Sequence, residues 1–437
     1  MAKYKAYPEY KDSGVEWLGM VPDNWLIKKL KYLCTVQTGS KDTVNAIEEG
    51  LYPFFVRSQI IERINTIGAD CEAVLTAGDG VGVGKVYHYY NGKFDFHQRV
   101  YMLNEFKSIT GRFVYYYLSS NFYKVALEGN AKSTVDSLRL PQFLNFEFSV
   151  PNDEEQKSIT SFLDHETAKI DCLIEKQQLL IELLKEKRQA VISHAVTKGL
   201  NPDVPMKDSG VEWLGEVPEH WVTSRYKFCT ARVIVGIAEA ATHAYSDIGT
   251  PIIRSTNIKE DGLSTSDLLY LKDEFARRNE SKYLYGNDIV TVRTGYPGIS
   301  AVVPDKLNNS HCFTNLISTP LHNQYAEYLS EYLNSDMGKE YFSLNGWGSA
   351  QKNISVPILQ NFPIAYPDKV EQEKISEFIV GKRREFCSLL NKAEESIRLM
   401  QERRTALISA AVTGKIDVRD WVAPNACEVE VSQEVTA

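Results

Sequence analysis

The chain has 437 residues, 43% hydrophobic and 24% charged, with a formal net charge of −8. That length is too great for one ordinary domain, and the composition excludes a disordered or fibrous chain. No apolar run of about 18 residues occurs, and the first residues, MAKYKAYPEYKD, are polar, so a cytoplasmic protein without a membrane partner is expected.

The seven cysteines (Cys34, Cys71, Cys172, Cys229, Cys312, Cys387, Cys427) are odd in number and never spaced as C-x-x-C. A disulfide framework and a zinc site are therefore not expected. The acidic balance does not advertise nucleic-acid binding, although a local basic face can hide in such a total.

In chain order, Lys11 to Gly19 reads KDSGVEWLG and continues as VPDNW at Val21 to Trp25. From roughly 26 to 150, short apolar runs alternate with turn signals: YPFFVRSQII, EAVLTAGDGVGVGKVYHYY and FHQRVYML. A helix is expected over Gly111 to Glu128, and the whole reads as a compact mixed α and β domain. Asp153 to Thr197 then reads as one long helix, with Ile159, Phe162, Leu163, Ile170, Leu173, Ile174, Leu180, Ile181, Leu184 and Val191 spaced near 3.5 residues apart. Pro151 precedes it, and Asn152 and Asp153 are the expected caps.

KDSGVEWLG now recurs, identical, at Lys207 to Gly215, followed by VPEHW at Val217 to Trp221. A second mixed region, roughly 222 to 366, carries PIIRSTNI, NDIVTVRTGYPGISAVV and FTNLIST, with a helix expected over Tyr325 to Leu344. A second long helix follows over Lys369 to Val412, weakened at Gly381. LRLPQFLNFEFSVPNDEEQKSITSFL, from Leu138, aligns with ISVPILQNFPIAYPDKVEQEKISEFI, from Ile354, and the register holds to AVISHAVTKG against ALISAAVTGK. The ends of the two copies are alike, the middles differ, and the second copy is about 20 residues longer. After Asp420 the tail, ending EVEVSQEVTA, is expected to be disordered.

Each long helix would span about 65 Å at roughly 1.5 Å per residue. A rod with one apolar seam needs a partner, and the other copy is the expected one; a helical hairpin within each copy is the rival. The expected fold class is α+β: two globular mixed α/β domains, 1–152 and 201–368, separated by two long helices, 153–200 and 369–420, packed as an antiparallel coiled coil. Pseudo-two-fold symmetry and a disordered tail, 421–437, complete the expectation. The second KDSGVEWLG copy directly follows the first helix exit, so the first copy is expected beside the second exit, packing as a clip with Trp17 near Val412.

The stretch AGDGVGVGK, from Ala77, does not satisfy a phosphate loop, because Asp79 stands where Gly is needed and Val86 where Ser or Thr is needed. Its Gly80, Gly82, Gly84 spacing is also wrong for a dinucleotide fingerprint. A tight turn is expected, one whose backbone and Lys85 can approach a DNA phosphate. Pro367-Asp368 with Gln372-Glu373-Lys374 is read as a helix cap. No Ser–His–Asp order, H-E-x-x-H or Asn-Pro-Pro-aromatic motif is present and the eight histidines do not cluster, so no catalytic or metal-ligating residue is expected.

Polar and basic residues in turns recur at matching places in the two middles. In the first these are Arg57, Ser58, Gln59, Lys85, His97, Gln98, Arg99, Lys132, Ser133 and Thr134. In the second they are Arg254, Ser255, Thr256, Asn257, Arg293, Thr294, His311, Asn315, Ser349, Gln351 and Lys352. Arg suits guanine edges and Asn or Gln suits adenine, while Ser, Thr and Lys suit phosphates. A solvated loop side chain remains the rival for each one singly.

Two variable domains, each followed by a long helix of shared sequence, resemble the specificity subunit of bacterial type I restriction–modification enzymes. KDSGVEWLG with VPDNW or VPEHW, the PNDEEQ and PDKVEQEK helix entries and the AVTKG and AVTGK exits carry the resemblance, over about residues 8 to 420. It implies that each target-recognition domain reads one half of a bipartite double-stranded DNA target. It also implies that the helices set the gap and dock two methyltransferase subunits, with two restriction/translocase subunits joining. Cofactors are then expected in those partners only: S-adenosylmethionine, ATP and Mg2+. A bivalent protein-binding scaffold and a self-contained nuclease are the rival readings.

Overall fold

The computed structural model describes residues 4–126, 138–212, 214–238, 242–348 and 352–423. They fall into two compact units, residues 1–178 with 395–437, and residues 179–394. Each unit holds one mixed α and β domain, one KDSGVEWLG copy and a part of both long helices. The tail residues 424–437, expected to be disordered, lie outside the described residues.

KDSGVEWLG forms a hairpin in both units. Tyr10–Asp12 pairs antiparallel with Met20–Pro22, and Met206–Asp208 pairs in the same register with Glu216–Pro218. The sequence dictates the turn: Ser13 and Ser209 close it with N–H bonds to Gly19 O and Gly215 O, both 3.0 Å. Gly14, Gly19, Gly210 and Gly215 take the positive φ values (60–71°) that a Cβ disfavours. Beyond the hairpin, Trp25 and Trp221 are buried at its root.

Each hairpin clasps the end of a long helix. In the unit containing the N-terminus, Lys415 Nζ donates to Leu18 O (3.2 Å) and Met20 O (2.5 Å). In the other, Lys198 Nζ donates to Leu214 O (3.0 Å) and Glu216 O. The two lysines do the same work from exchanged positions, since the exits read Lys198-Gly199 and Gly414-Lys415. Both glycines have positive φ, and a Cβ on Gly414 would lie 2.4 Å from Pro22 Cδ. Trp17 stacks on Phe146 (5.2 Å between centroids) in the core cluster that holds Val412. The placement expected for the first hairpin is therefore observed.

The helix entries are locked by a matching pair of glutamines. Asn152 Oδ1 accepts from Glu155 N and Asp368 Oδ1 from Glu371 N, both at 2.9 Å, so these residues are the caps. One turn in, Gln156 and Gln372 are fully buried. Their Oε1 atoms accept from Thr110 N and Tyr325 N at 2.9 Å, and their Nε2 atoms donate to Pro151 O (3.0 Å) and Pro367 O (2.9 Å). The long helices run unbroken over Asp153–Lys198 and Lys369–Val412, through Gly381. Arg404 bonds Asp171 across the seam of the first unit, at 2.8 Å.

The sheets diverge from a shared plan. In the first unit one six-stranded sheet runs Thr35–Thr38, Val100–Asn104, Ala69–Ala77, Tyr87–Phe96, Tyr52–Phe55, Glu62–Ile64. Its ten-residue strand Tyr87–Phe96 pairs antiparallel with Ala69–Ala77 and, at its end, parallel with Tyr52–Phe55. In the second unit that strand is split into Ser300–Val302 and His311–Cys312, giving two four-stranded sheets. Nearly all the extra residues lie between Thr250–Ile253 and His311–Cys312. The helix expected over Tyr325 to Leu344 is two helices, Ala326–Leu333 and Asp336–Asn345. Asn334 leaves the helix to pair with Ser300 N and O, and Ser335 caps the next helix at Gly338 N. Likewise Gly111–Asn121 is followed by a separate turn, Tyr123–Ala126.

Two glycine substitutions separate the tight exit from the open helix. Gly414→Ala should destabilise by about 2–3 kcal/mol, through positive φ and overlap with Pro22. Gly381→Ala, with nothing within 4 Å of the new Cβ, should stabilise by ~0.5–1 kcal/mol. Thermal unfolding followed by circular dichroism checks both signs.

Candidate nucleic-acid interface

In the first unit the structure gathers Arg57, Ser58, Gln59, Lys85, Gln98 and Arg99 onto neighbouring turns. The glycine-rich turn at 78–84 is the centre. Its Asp79 accepts from Arg57 Nη1 at Oδ1 (2.8 Å) and from Arg99 Nη1 at Oδ2 (2.9 Å). The glycines allow this approach, because a Cβ on Gly82 would sit 2.5 Å from Arg57 O and one on Gly78 3.0 Å from Arg99 O. Gln59 Nε2 donates to Lys85 O (3.1 Å), Ser58 Oγ to Ile60 O (3.0 Å) and Gln98 Nε2 to Asp42 Oδ2 (2.8 Å). Ser58, Gln59, Lys85, Gln98 and Arg99 are exposed.

His97 is placed differently. It is buried, its Nδ1 accepts from Arg99 N (2.9 Å), and it shapes the turn from below. Lys132, Ser133 and Thr134 lie outside the described residues.

Among the described residues of the second unit, no carboxylate bridges two arginines at the same turns. Ser255 Oγ donates to Asn315 Oδ1 (2.8 Å), and Arg254 Nη2 donates to Asp267 O (2.6 Å). Thr294 Oγ1 donates to Asn353 Oδ1, and Lys352 Nζ to Ser343 O. Thr256, Thr294 and Lys352 are exposed and Arg293 is half-buried, whereas Asn257, His311 and Asn315 are buried. His311 Nε2 meets Ala276 O at 3.1 Å and its ring lies 4.7 Å from that of Tyr283. Ser349 and Gln351 lie outside the described residues.

Strand register corrects the matching of places between the two middles. Phe55 pairs with Phe96 and Ile253 with Cys312, so Arg57 corresponds to Ser255 and Arg254 to Val56. The shared Arg-Ser letters are thus one residue out of step, and a one-residue slip reverses the face a side chain occupies. By the same pairing His311 corresponds to Asp95, not to His97. In the sequence Asp79 is notable only as the residue that breaks a phosphate loop, and nothing there marks it as a site residue.

The chain matches the family model for the type I restriction modification DNA specificity domain over residues 22–184 and 239–390. The chain belongs to that family. The two stretches cover well over half its length, and each includes most of one recognition domain.

Curated relatives agree. An Escherichia coli specificity subunit, EcoDI, is 30% identical over 185 residues, covering 42% of this chain and 40% of that protein. The Methanocaldococcus jannaschii MjaVIII specificity subunit is 22% identical over 428 residues, covering 92% of this chain and 95% of the relative. Among solved structures, a chain from a study of type I R-M complex assembly and conformational transition matches with a TM-score of 0.60 at 14% identity. That match covers 90% of this chain and 98% of the other. The HsdS subunit from Thermoanaerobacter tengcongensis matches with a TM-score of 0.51 at 12% identity, covering 91% of this chain and 98% of the other. At these identities the two structures support the fold.

The recognition domains of this specificity subunit also carry a pH dependence. Burial pushes the imidazoles of His88, His97 and His311 below their ordinary value. Just below that ordinary value the unfolded chain binds more protons than the folded one, so stability is full above it and falls with acidification. Burial pushes the Glu331 carboxyl up to about 7, which acts in the opposite direction, so the imidazole share is read as a difference: between about pH 7.5 and pH 5.5 wild type should lose melting temperature relative to His97→Asn. Identical pH profiles for the two proteins contradict this.

Proposed function

We propose that this chain is the address-reading part of a type I restriction–modification complex. Each recognition domain reads one half of a bipartite DNA target. The two long helices, packed antiparallel as a coiled coil, fix the unread gap and dock two methyltransferase subunits. Two restriction/translocase subunits join that assembly. Adenine methylation with S-adenosylmethionine, and ATP- and Mg2+-driven translocation and cleavage, belong to the partners; this chain is non-catalytic by itself.

One observation carries the reading: matching mounts hold unlike turns. The hairpin, the lysine at the helix exit and the buried glutamine at the helix entry recur, whereas the turn chemistry changes from Arg–Asp–Arg to Ser–Asn. Two identical partners require identical docking surfaces, and two different half-sites require different readers. Rods of about 65 Å span nearly two DNA turns of roughly 34 Å, a scale suited to half-sites about one turn apart. A pseudo-two-fold relation of the two domains suits such a bipartite site.

The rival, a bivalent protein scaffold, predicts no steep salt dependence of duplex binding. With the methyltransferase partner present, DNA affinity should fall steeply as salt rises. Arg57→Ala should weaken binding or relax base preference, by about tenfold, at one half-site only, and Arg254→Ala at the other. Equal loss of preference at both half-sites contradicts the assignment of one domain to one half-site.

A further inference from the structure

We propose that Asp79 is a specificity-determining residue of the first recognition domain, positioning Arg57 and Arg99 for base edges and discouraging phosphate binding. The inference rests on the DNA-reading function proposed above and goes beyond it. Among the described residues, neither arginine forms an ion pair with another acid.

The geometry is that of a bracket. One carboxylate holds both guanidiniums, one on each oxygen, at 2.8 and 2.9 Å. Asp79 is 23% exposed, while Arg57 and Arg99 are 40% and 57% exposed, so the carboxylate sits behind the arginines and their outer edges face solvent. A cleft of about 380 Å3 opens beside Arg57, lined also by Thr43, Ser58, Glu62, Asp79 and Gly80, with Arg99 outside it. Gly78 and Gly82 bring the backbone of the turn against the carbonyls of Arg99 and Arg57, so the turn places Asp79 between the two arginines.

The chemistry follows from donor counting. A guanidinium has five N–H donors, and Asp79 takes one from each arginine, leaving a forked edge for guanine O6 and N7. A free arginine on a long flexible stem binds the phosphates of any sequence; a pinned one has lost that freedom before DNA arrives. The carboxylate also repels phosphate directly, which penalises non-cognate contacts more than base contacts.

The test uses the full chain in complex with its methyltransferase partner and a pool of duplexes with randomised bases, sequenced before and after selection. Wild type should show base preference in two blocks, and Arg57→Ala or Arg99→Ala should erase part of one block. Asp79→Asn should lower discrimination in that same block about tenfold while raising affinity for random-sequence duplex about three- to tenfold, with a steeper salt slope. Asp79→Glu should keep most of the discrimination. A merely structural Asp79 would lower cognate and random affinity together, with a lower melting temperature, and that result overturns the proposal. Unchanged discrimination in Asp79→Asn also overturns it. Absence of base preference in wild type overturns the parent function and this proposal together, which separates the two failures.

Discussion

The structure depends on one kind of contact: a lysine ammonium at the exit of each long helix, donating to two carbonyls of the KDSGVEWLG hairpin. A helix end presents carbonyls without intrahelical partners, and a glycine with positive φ turns the chain away from them. The lysine then spans the gap to the hairpin, and Trp25 or Trp221 closes the apolar side beneath it. Because Lys415 and Lys198 reach equivalent carbonyls from exchanged positions in sequence, the contact itself is what the two copies share. Everything that must be alike in them is organised around it.

Everything that must differ is kept away from it. Each recognition sheet is fastened at the hairpin and at the buried glutamine of the helix entry, and its turns lie at the other end of its strands. Most of the extra residues of the second domain fall between Ile253 and Ile289, where they form short strands and the helix Asp273–Arg278 and leave the mount unchanged. Charge follows the same division. The chain is acidic as a whole, yet the turns of the first domain place two arginines and a lysine outward, with Asp79 set between the arginines as a local restraint.

Much of this was legible in the sequence because the repeat exposes it. The hairpin copies, the long helices, their caps at Asn152 and Asp368 and the seat of Trp17 follow from identity, periodicity and capping chemistry. Strand register was not legible: the Arg-Ser letters at Arg57 and Arg254 invited an alignment that the pairing of Phe55 and Ile253 shifts by one residue. Burial of His97, His311 and Asn315 was equally hidden, since turn composition does not say which side chain points inward. The break at Asn334 was missed because the apolar period continues across it, while a tertiary bond to Ser300 ends the helix. Asp79 escaped notice because its role exists only once two distant arginines have been folded onto it.

The central claim is that one chain carries two unlike DNA readers on one repeated mount. Mapping methylated adenines genome-wide, in cells expressing this chain with its methyltransferase partner, tests it most directly. The account predicts methylation confined to one asymmetric motif, two unlike base blocks separated by a fixed run of unread bases. Methylation at a single contiguous motif, or at a palindrome read identically on both sides, would contradict it.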